Sequence, residues 1–176
     1  HTLDNQDFRG FAGRIDGGVF KTGDKVKSLP SGFVSTIKSI ELNGKQIQEA
    51  FAPMSVTMTL EDEIDNSRGD MIVRENNVPQ VGQDLEVLVT WMNVKPLQSQ
   101  TKVIVKHTTN ECMAMVKELK YKVDINTLHR IEDIKVLEMN DIGRITLRTS
   151  KQLFYDAYER NRQTGSLIII DEQTNE

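Results

Sequence analysis

Apolar and polar residues alternate with a period of two along most of this chain. In residues 54–60, Met54, Val56 and Met58 interleave with serine and threonine, and residues 85–91 repeat the pattern. A period of two is typical of a β-strand with one face buried. The same pattern in weaker form predicts further strands at 101–107, 142–147 and 166–171.

Residues 32–42 form another candidate strand, whose register changes along its length. The apolar residues of its first half are out of phase with those of its second half. One extra residue near Lys38-Ser39 would reconcile the two halves, so we expect a β-bulge there. Asn43-Gly44 follows directly and predicts a two-residue type I′ hairpin turn, because both positions of that turn need positive φ.

The remaining segments set the domain organisation. Residues 111–123 fit both helical spacing and strict alternation, although an all-β context favours a long strand, and 155–162 fit a short helix or a loop. The polar stretch 74–83 contains a proline and a glycine and lacks periodicity, so it is the predicted linker. Short strands on both sides predict an all-β protein of two consecutive β-barrel domains, at 1–78 and 79–176.

Composition and charge narrow the class of protein. The 176 residues carry a formal net charge of −4, divided as −3 in residues 1–78 and −1 in 79–176. This balance argues against a nucleic-acid partner, because phosphate binding depends on basic surface. No apolar run approaches the roughly 20 residues of a membrane span. We therefore expect no membrane partner. The single cysteine, Cys112, excludes an intrachain disulfide, so a reducing compartment fits best and we expect a cytoplasmic protein.

Catalytic, metal-binding and cofactor-binding motifs are not found. No phosphate-binding loop of the G-x-x-x-x-G-K-[ST] type and no G-x-G-x-x-G motif occurs. His1, His107 and His129 are far apart in sequence, and His107 reads as a polar strand end. Cys112 reads as a buried structural thiol and Trp91 as a packing residue. We therefore assign no catalytic, cofactor-binding or metal-binding residue.

The segment 61–73, EDEIDNSRGDMIV, places five acids around one arginine and contains an RGD tripeptide. A calcium loop of the EF-hand type starting at Asp65 fails, because position five is Gly69 and position twelve is Asn76. An adhesion signal requires an extracellular setting, which the cysteine count does not favour. We interpret the segment as an acidic turn in which Gly69 adopts unusual backbone angles before 71–73 begin a closing strand.

Several short motifs together resemble a known family. The motifs DFRGFAG at 7–13, GG at 17–18 and KTGDKV at 21–26 are similar to the second domain of elongation factor Tu-like GTPases. The resemblance narrows to the large, GTP-binding subunit of bacterial sulfate adenylyltransferase through LPSG at 29–32, AP at 52–53 and DNSRGD at 65–70. The third domain of that family is matched by WM at 91–92, Leu97, NDIG at 140–143, NRQTGS at 161–166 and ID at 170–171.

The resemblance implies a parent enzyme that couples GTP hydrolysis to synthesis of adenosine 5′-phosphosulfate from ATP and sulfate. In that family a GTPase domain holds GTP and magnesium, and a small catalytic subunit holds ATP. That GTPase domain is expected before Asp7, and one more strand is expected after the last residue. No catalytic or nucleotide-contacting residue is carried over, so this chain by itself is expected to be inactive.

The resemblance further implies a mechanical role, since the family's barrels move as bodies relative to the GTPase domain. We therefore expect Phe8 and Arg9 to face the GTPase domain. Arg68, Gly69 and Asp70 are expected at a barrel corner that faces a domain or subunit surface, with a solvated turn as the alternative. The expected partners are the GTPase domain and the small catalytic subunit.

Two other classes of function stay open at this point. The equivalent barrels of a translation GTPase would bind tRNA, although the net charges of both halves disfavour such a surface. A free-standing β-barrel binding protein is the third alternative. Binding to tRNA, compared with co-elution with the small sulfurylase subunit, would distinguish these classes.

Overall fold

The computed structural model describes residues 9–172, and these form sixteen β-strands and no helix. The first eight strands are β1 (Phe11–Arg14), β2 (Val19–Lys21), β3 (Lys25–Leu29), β4 (Val34–Leu42), β5 (Lys45–Ile47), β6 (Glu49–Phe51), β7 (Ser55–Leu60) and β8 (Met71–Arg74). The other eight are β9 (Gln80–Thr90), β10 (Leu97–Gln98), β11 (Lys102–His107), β12 (Asn110–Val123), β13 (Arg130–Glu132), β14 (Val136–Leu137), β15 (Ile142–Tyr155) and β16 (Ile168–Asp171). The all-β prediction is confirmed.

Contacts between residues divide the chain into two compact units. Within residues 9–172, the first unit comprises the residues up to Pro79 together with the segment Asp156–Thr164. The second unit comprises Gln80–Tyr155 and residues 165–172. The chain thus leaves the second unit after β15 and returns to it before β16.

The first unit is built on a six-stranded antiparallel sheet in the order β1-β7-β4-β3-β8, with β5 paired to β4. The pairing of β4 with β7 shifts by one residue between Ile37 and Ser39, which confirms the predicted bulge. Asn43 and Gly44 have φ values of 51° and 76°, as the predicted hairpin turn requires, and Leu42 pairs with Lys45 across it.

Alternate residues of these strands form the first core. Ile37 and Ile40 of β4 and Val26 of β3 are at most 1% exposed. Met58 of β7 and Ile64, from the loop after β7, join the same cluster. Because the sheet buries every second residue, the outward positions remain available for polar side chains.

The second unit contains a six-stranded sheet in the order β16-β11-β12-β15-β9, with β13 paired to β12. The segment 111–123, which fitted two patterns, lies within the strand β12. This strand is fixed by β11 on one side and β15 on the other, with register shifts after Val116 and after Leu119. Trp91 and Cys112 are 4% and 9% exposed within this core, as predicted.

Two boundaries differ from those predicted. The linker is shorter than 74–83, because Arg74 ends β8 and β9 already begins at Gln80. The polar start of β9 is held in the sheet by pairing with the last residues of β15, a partner that local composition does not reveal. In the segment 155–162, for which a short helix or a loop is predicted, Tyr155 ends β15 and the remaining residues contain no helix. Within residues 9–172, no helix has the length and apolarity needed to cross a membrane.

Candidate interaction surface

The loop between β7 and β8 is attached to the first unit at several points. Ile64 is 7% exposed and packs into the first core. The buried hydroxyl of Ser35 donates to a carboxylate oxygen of Asp62 at 2.8 Å. The buried Ser28 hydroxyl donates to the amide oxygen of Asn66 at 2.6 Å. The acidic segment is therefore an ordered part of the fold, because one apolar side chain and two hydrogen bonds to buried serines attach it to the first unit.

The RGD tripeptide lies in a tight turn closed by its own side chain. The backbone N–H of Ser67 donates to the Asp70 carboxylate at 2.7 Å, and the Asp70 N–H donates to the Ser67 carbonyl at 3.0 Å. Gly69 has a φ of 102°, which side chains rarely adopt, so the expected unusual backbone angle is present. Arg68 is exposed, whereas Asp70 is partly buried and its carboxylate closes the turn.

Arg9 lies in the same part of the first unit. Its guanidinium group forms an ion pair with the carboxylate of Asp65, three residues before Arg68. Both side chains of the pair are largely exposed, so the pair adds little to stability. The other predicted contact on this side, Phe8, lies outside the described residues.

An exposed aromatic residue that the sequence reasoning missed lies beside this loop. Phe33, at the start of the hairpin arm leading into β4, is 61% exposed. Its carbonyl accepts a hydrogen bond from the Ser28 N–H at 2.8 Å, and Ser28 also binds Asn66. The only sequence signal was an apolar residue directly after the turn glycine Gly32, which has positive φ. We call Arg9, Phe33 and residues 65–70 the corner surface.

The corner surface has the features of a protein contact site. Arginine and aromatic side chains dominate the energetics of many interfaces. The anchored loop would lose little conformational freedom on binding, which lowers the cost of association. Among residues 9–172, no three His, Cys, Asp or Glu side chains are grouped closely enough to hold a metal ion.

Charged residues on the outer face of the second sheet are paired with one another. On β9, Asp84 accepts a hydrogen bond from Arg148 and Glu86 accepts one from Arg144, both at 2.8 Å. Hydrogen bonds from Lys120 and Arg144 lower the pKa of Glu86 below its ordinary value of 4.5. Asp84 also lies 3.9 Å from Lys117, so the two carboxylates face four basic side chains, and this part of the face carries more basic than acidic groups.

Known proteins that share the fold of this chain are GTPases of the translation-factor type and their relatives. The family described as "GTP-eEF1A C-terminal domain-like" matches residues 84–176, and the chain belongs to this family. The solved structure of Sup35 complexed with GDP has the same fold, with a TM-score of 0.83 at 13% identity, over 94% of this chain and 41% of that one. Translation elongation factor SelB from Methanococcus maripaludis in its apo form has a TM-score of 0.66 at 18% identity, over 88% of this chain and 35% of that one.

More specific similarity extends along almost the whole chain. This chain is 44% identical over 171 residues to sulfate adenylyltransferase subunit 1 of Bacteroides fragilis. The matched region covers 97% of this chain and 36% of that protein. It is also 43% identical over 176 residues to the bifunctional enzyme CysN/CysC of Mycobacterium tuberculosis, which covers 99% of this chain and 29% of that protein. The resemblance inferred from the sequence motifs is confirmed. The chain spans about a third of the length of these curated relatives.

Proposed function

We propose that this chain is the two-barrel interaction portion of the large subunit of a cytoplasmic sulfate adenylyltransferase. The parent enzyme couples GTP hydrolysis to synthesis of adenosine 5′-phosphosulfate from ATP and sulfate. The observation that supports this proposal is 44% identity over 97% of the chain to a protein named subunit 1 of that enzyme. The name also implies a second subunit, which we take to be the small catalytic partner.

Within such a complex the chain would transmit movement. GTP and magnesium would bind in the GTPase domain and ATP in the partner subunit, while this chain by itself would turn over neither nucleotide. A change of nucleotide would shift the contacts of the barrels, and only contacts that differ between the two states can couple hydrolysis to synthesis.

We assign the corner surface to one of these contacts. Arg68 is exposed at the tip of a turn whose shape is fixed by Asp70 and Gly69. Arg9 forms an ion pair with Asp65, and Phe33 adds an exposed apolar group in the hairpin that Ser28 links to the same loop. Guanidinium groups form charge-assisted, often bidentate hydrogen bonds with carboxylates, so exposed arginines on an anchored loop are suited to a carboxylate-bearing protein surface.

The test uses the full-length large subunit assembled with its partner subunit, comparing Arg68→Ala with the unmodified complex. We expect the stimulation of adenosine 5′-phosphosulfate synthesis by GTP to fall about tenfold, the effect of losing roughly 1.4 kcal/mol of coupling, with unstimulated synthesis unchanged. Arg14→Ala is the matched control. Arg14 pairs with Ser55 at the start of β7, whereas the corner surface follows the end of that strand.

Equal stimulation by GTP in the Arg68→Ala and control complexes would remove the corner surface from the coupling path. Filter binding of tRNA to the same protein tests the translation-factor alternative. Tight, salt-sensitive binding of tRNA together with no binding of the partner subunit would overturn the proposed function as a whole.

A further inference from the structure

Ser28 is a buried residue of β3 that forms hydrogen bonds with two separate parts of the corner surface. It is 2% exposed. Its backbone N–H donates to the Phe33 carbonyl at 2.8 Å, and its carbonyl accepts a hydrogen bond from the Gly32 N–H at 2.7 Å. Its hydroxyl donates to the amide oxygen of Asn66 at 2.6 Å. One residue therefore holds both the hairpin that carries Phe33 and the loop that carries Arg68.

The Ser28 hydroxyl fixes the place of the turn at 67–70 within the first unit. The shape of this turn is set by its own hydrogen bonds between Ser67 and Asp70. The Ser28 hydroxyl instead attaches the preceding residue, Asn66, to β3. This strand is a firm support, because it lies between β4 and β8 in the sheet and is paired on both sides.

A second buried serine anchors the same loop nearer the end of β7. The Ser35 hydroxyl donates to the Asp62 carboxylate at 2.8 Å and accepts a hydrogen bond from the Asp62 N–H at 3.2 Å. Ile64, buried in the first core, lies between the two anchored positions along the chain. The loop thus has two polar anchors of the same chemistry, and the one at Ser28 adjoins the corner surface.

We propose that Ser28 is the positioning residue of the corner surface and keeps Arg68 and Phe33 at a fixed separation for one partner surface. This inference rests on the proposed function and concerns how the same contact is made. A partner that binds both side chains gains most when they are already in place, because groups that move freely lose conformational freedom on binding. The Ser28 hydroxyl and backbone provide this arrangement for two segments that are far apart in the sequence.

The simpler role for the Ser28 hydroxyl is to stabilise the first unit. A buried hydroxyl needs a hydrogen-bond partner, and loss of the bond lowers the free energy of unfolding in either role. The two roles differ in their dependence on Arg68. An effect on coupling that arises from positioning disappears once the positioned side chain is removed, whereas an effect that arises from a less stable fold persists.

The experiment measures stimulation of adenosine 5′-phosphosulfate synthesis by GTP in the full-length large subunit assembled with its partner subunit. Ser28→Ala should lower the stimulation about fivefold, the factor that corresponds to one lost hydrogen bond. In the Arg68→Ala background the same change should alter the stimulation by less than about twofold. Ser28→Thr keeps the hydroxyl and should retain the stimulation. Ser35→Ala is the matched control and should also retain it, because it removes the other buried anchor of the loop.

Hydrogen exchange of backbone amides provides a readout that does not depend on synthesis. The Ser67 and Asp70 amides are hydrogen-bonded within the turn, so their exchange rates report how often it opens. A turn that is no longer tied to β3 should open more often, so Ser28→Ala should accelerate both amides about fivefold and leave those of β7 unchanged. Asn66→Ala removes the same bond at a half-buried position and should have the same effects.

Three results would overturn the positioning role. Equal stimulation by GTP in the wild-type and Ser28→Ala complexes would overturn it and leave the proposed function intact. The same holds for a loss of stimulation by Ser28→Ala that is equally large with and without Arg68, since that result indicates a less stable fold. Unchanged stimulation in the Arg68→Ala complex would overturn the positioning role and the corner surface together. If Ser28→Ala does not fold, Asn66→Ala takes its place in each comparison.

Discussion

Replacing Gly143 with alanine should destabilise the second unit through a single close contact. Gly143 lies at the start of β15 and is covered by Leu137 of β14, which is fully buried. A Cβ atom at position 143 would meet the two Leu137 methyl groups at 2.5 and 2.6 Å. Ordinary contacts to Cβ begin at about 3.4 Å, so the leucine must move by close to 1 Å.

The magnitude follows from the surroundings of Leu137. Because this side chain is 0% exposed, it cannot swing into solvent, and the strain has to be absorbed by neighbouring core residues. Overpacking of this kind costs about 1–3 kcal/mol. Leu137→Ala alone should cost about 2–5 kcal/mol, since it leaves a cavity. In the double variant the new methyl group enters that cavity, so the combined cost should be about 1–3 kcal/mol less than the sum.

Fluorescence of Trp91 during urea unfolding provides the assay. It is the single tryptophan of the chain and is 4% exposed in the second core, so its emission reports on this unit. With an m value of about 1.5 kcal/mol/M, Gly143→Ala should lower the midpoint by about 0.7–2 M. Gly82→Ala, in the same sheet, is the control, because the nearest atom to its Cβ is the Tyr155 hydroxyl oxygen at 3.2 Å, the end of a side chain that can shift.

Two results would refute this reasoning. A urea midpoint for Gly143→Ala as high as that for Gly82→Ala would mean that Leu137 moves aside without a loss of free energy of unfolding. Additive costs in the double variant would mean that the alanine methyl group and the leucine do not compete for the same space. Either result would remove the explanation for why glycine occupies position 143.

Two further predictions concern ionisable groups of the second unit. Because Lys120 and Arg144 lower the pKa of Glu86, its contribution to stability is present at neutral pH and is lost as the pH falls below the ordinary value of 4.5. Glu86→Gln should therefore reduce the fall of the urea midpoint between pH 6 and about 3, measured by Trp91 fluorescence. Burial raises the pKa of Cys112, so its thiol should react with Ellman's reagent at neutral pH only after unfolding; rapid reaction in the native state would contradict this.

The elements that the sequence predicted well are those set by local geometry. The change of phase in residues 32–42 required a bulge, which lies between Ile37 and Ser39. The Asn43-Gly44 turn followed from the φ angles that only such residues adopt easily. In both cases the cause and its effect lie within a few residues of each other.

Segments whose structure depends on distant partners were harder to predict. Residues 111–123 carry two compatible periodicities, and only pairing with β11 and β15 selects the strand. The polar residues at the start of β9 do not alternate clearly, yet Gln80 pairs with Tyr155, which is 75 positions along the chain. Pairing energy between distant segments is not encoded in either segment alone.

The corner surface shows the same limit at the level of side chains. The exposed position of Arg68 could be inferred from its acidic, glycine-containing turn. The proximity of Arg9 to Asp65, across 56 positions, and that of Phe33 to the loop through Ser28 could not. Sequence patterns specify which face of a strand is buried, but they do not specify which loops meet at the end of a sheet.

The corner surface can be altered without changing the core beneath it. In each sheet the inward residues supply the buried side chains, and every second residue is free of that role. The Ser67–Asp70 turn is closed by its own hydrogen bonds, so it does not depend on the Arg68 side chain. Loss of coupling in an Arg68 variant whose urea midpoint equals that of the wild type would therefore report on the surface itself.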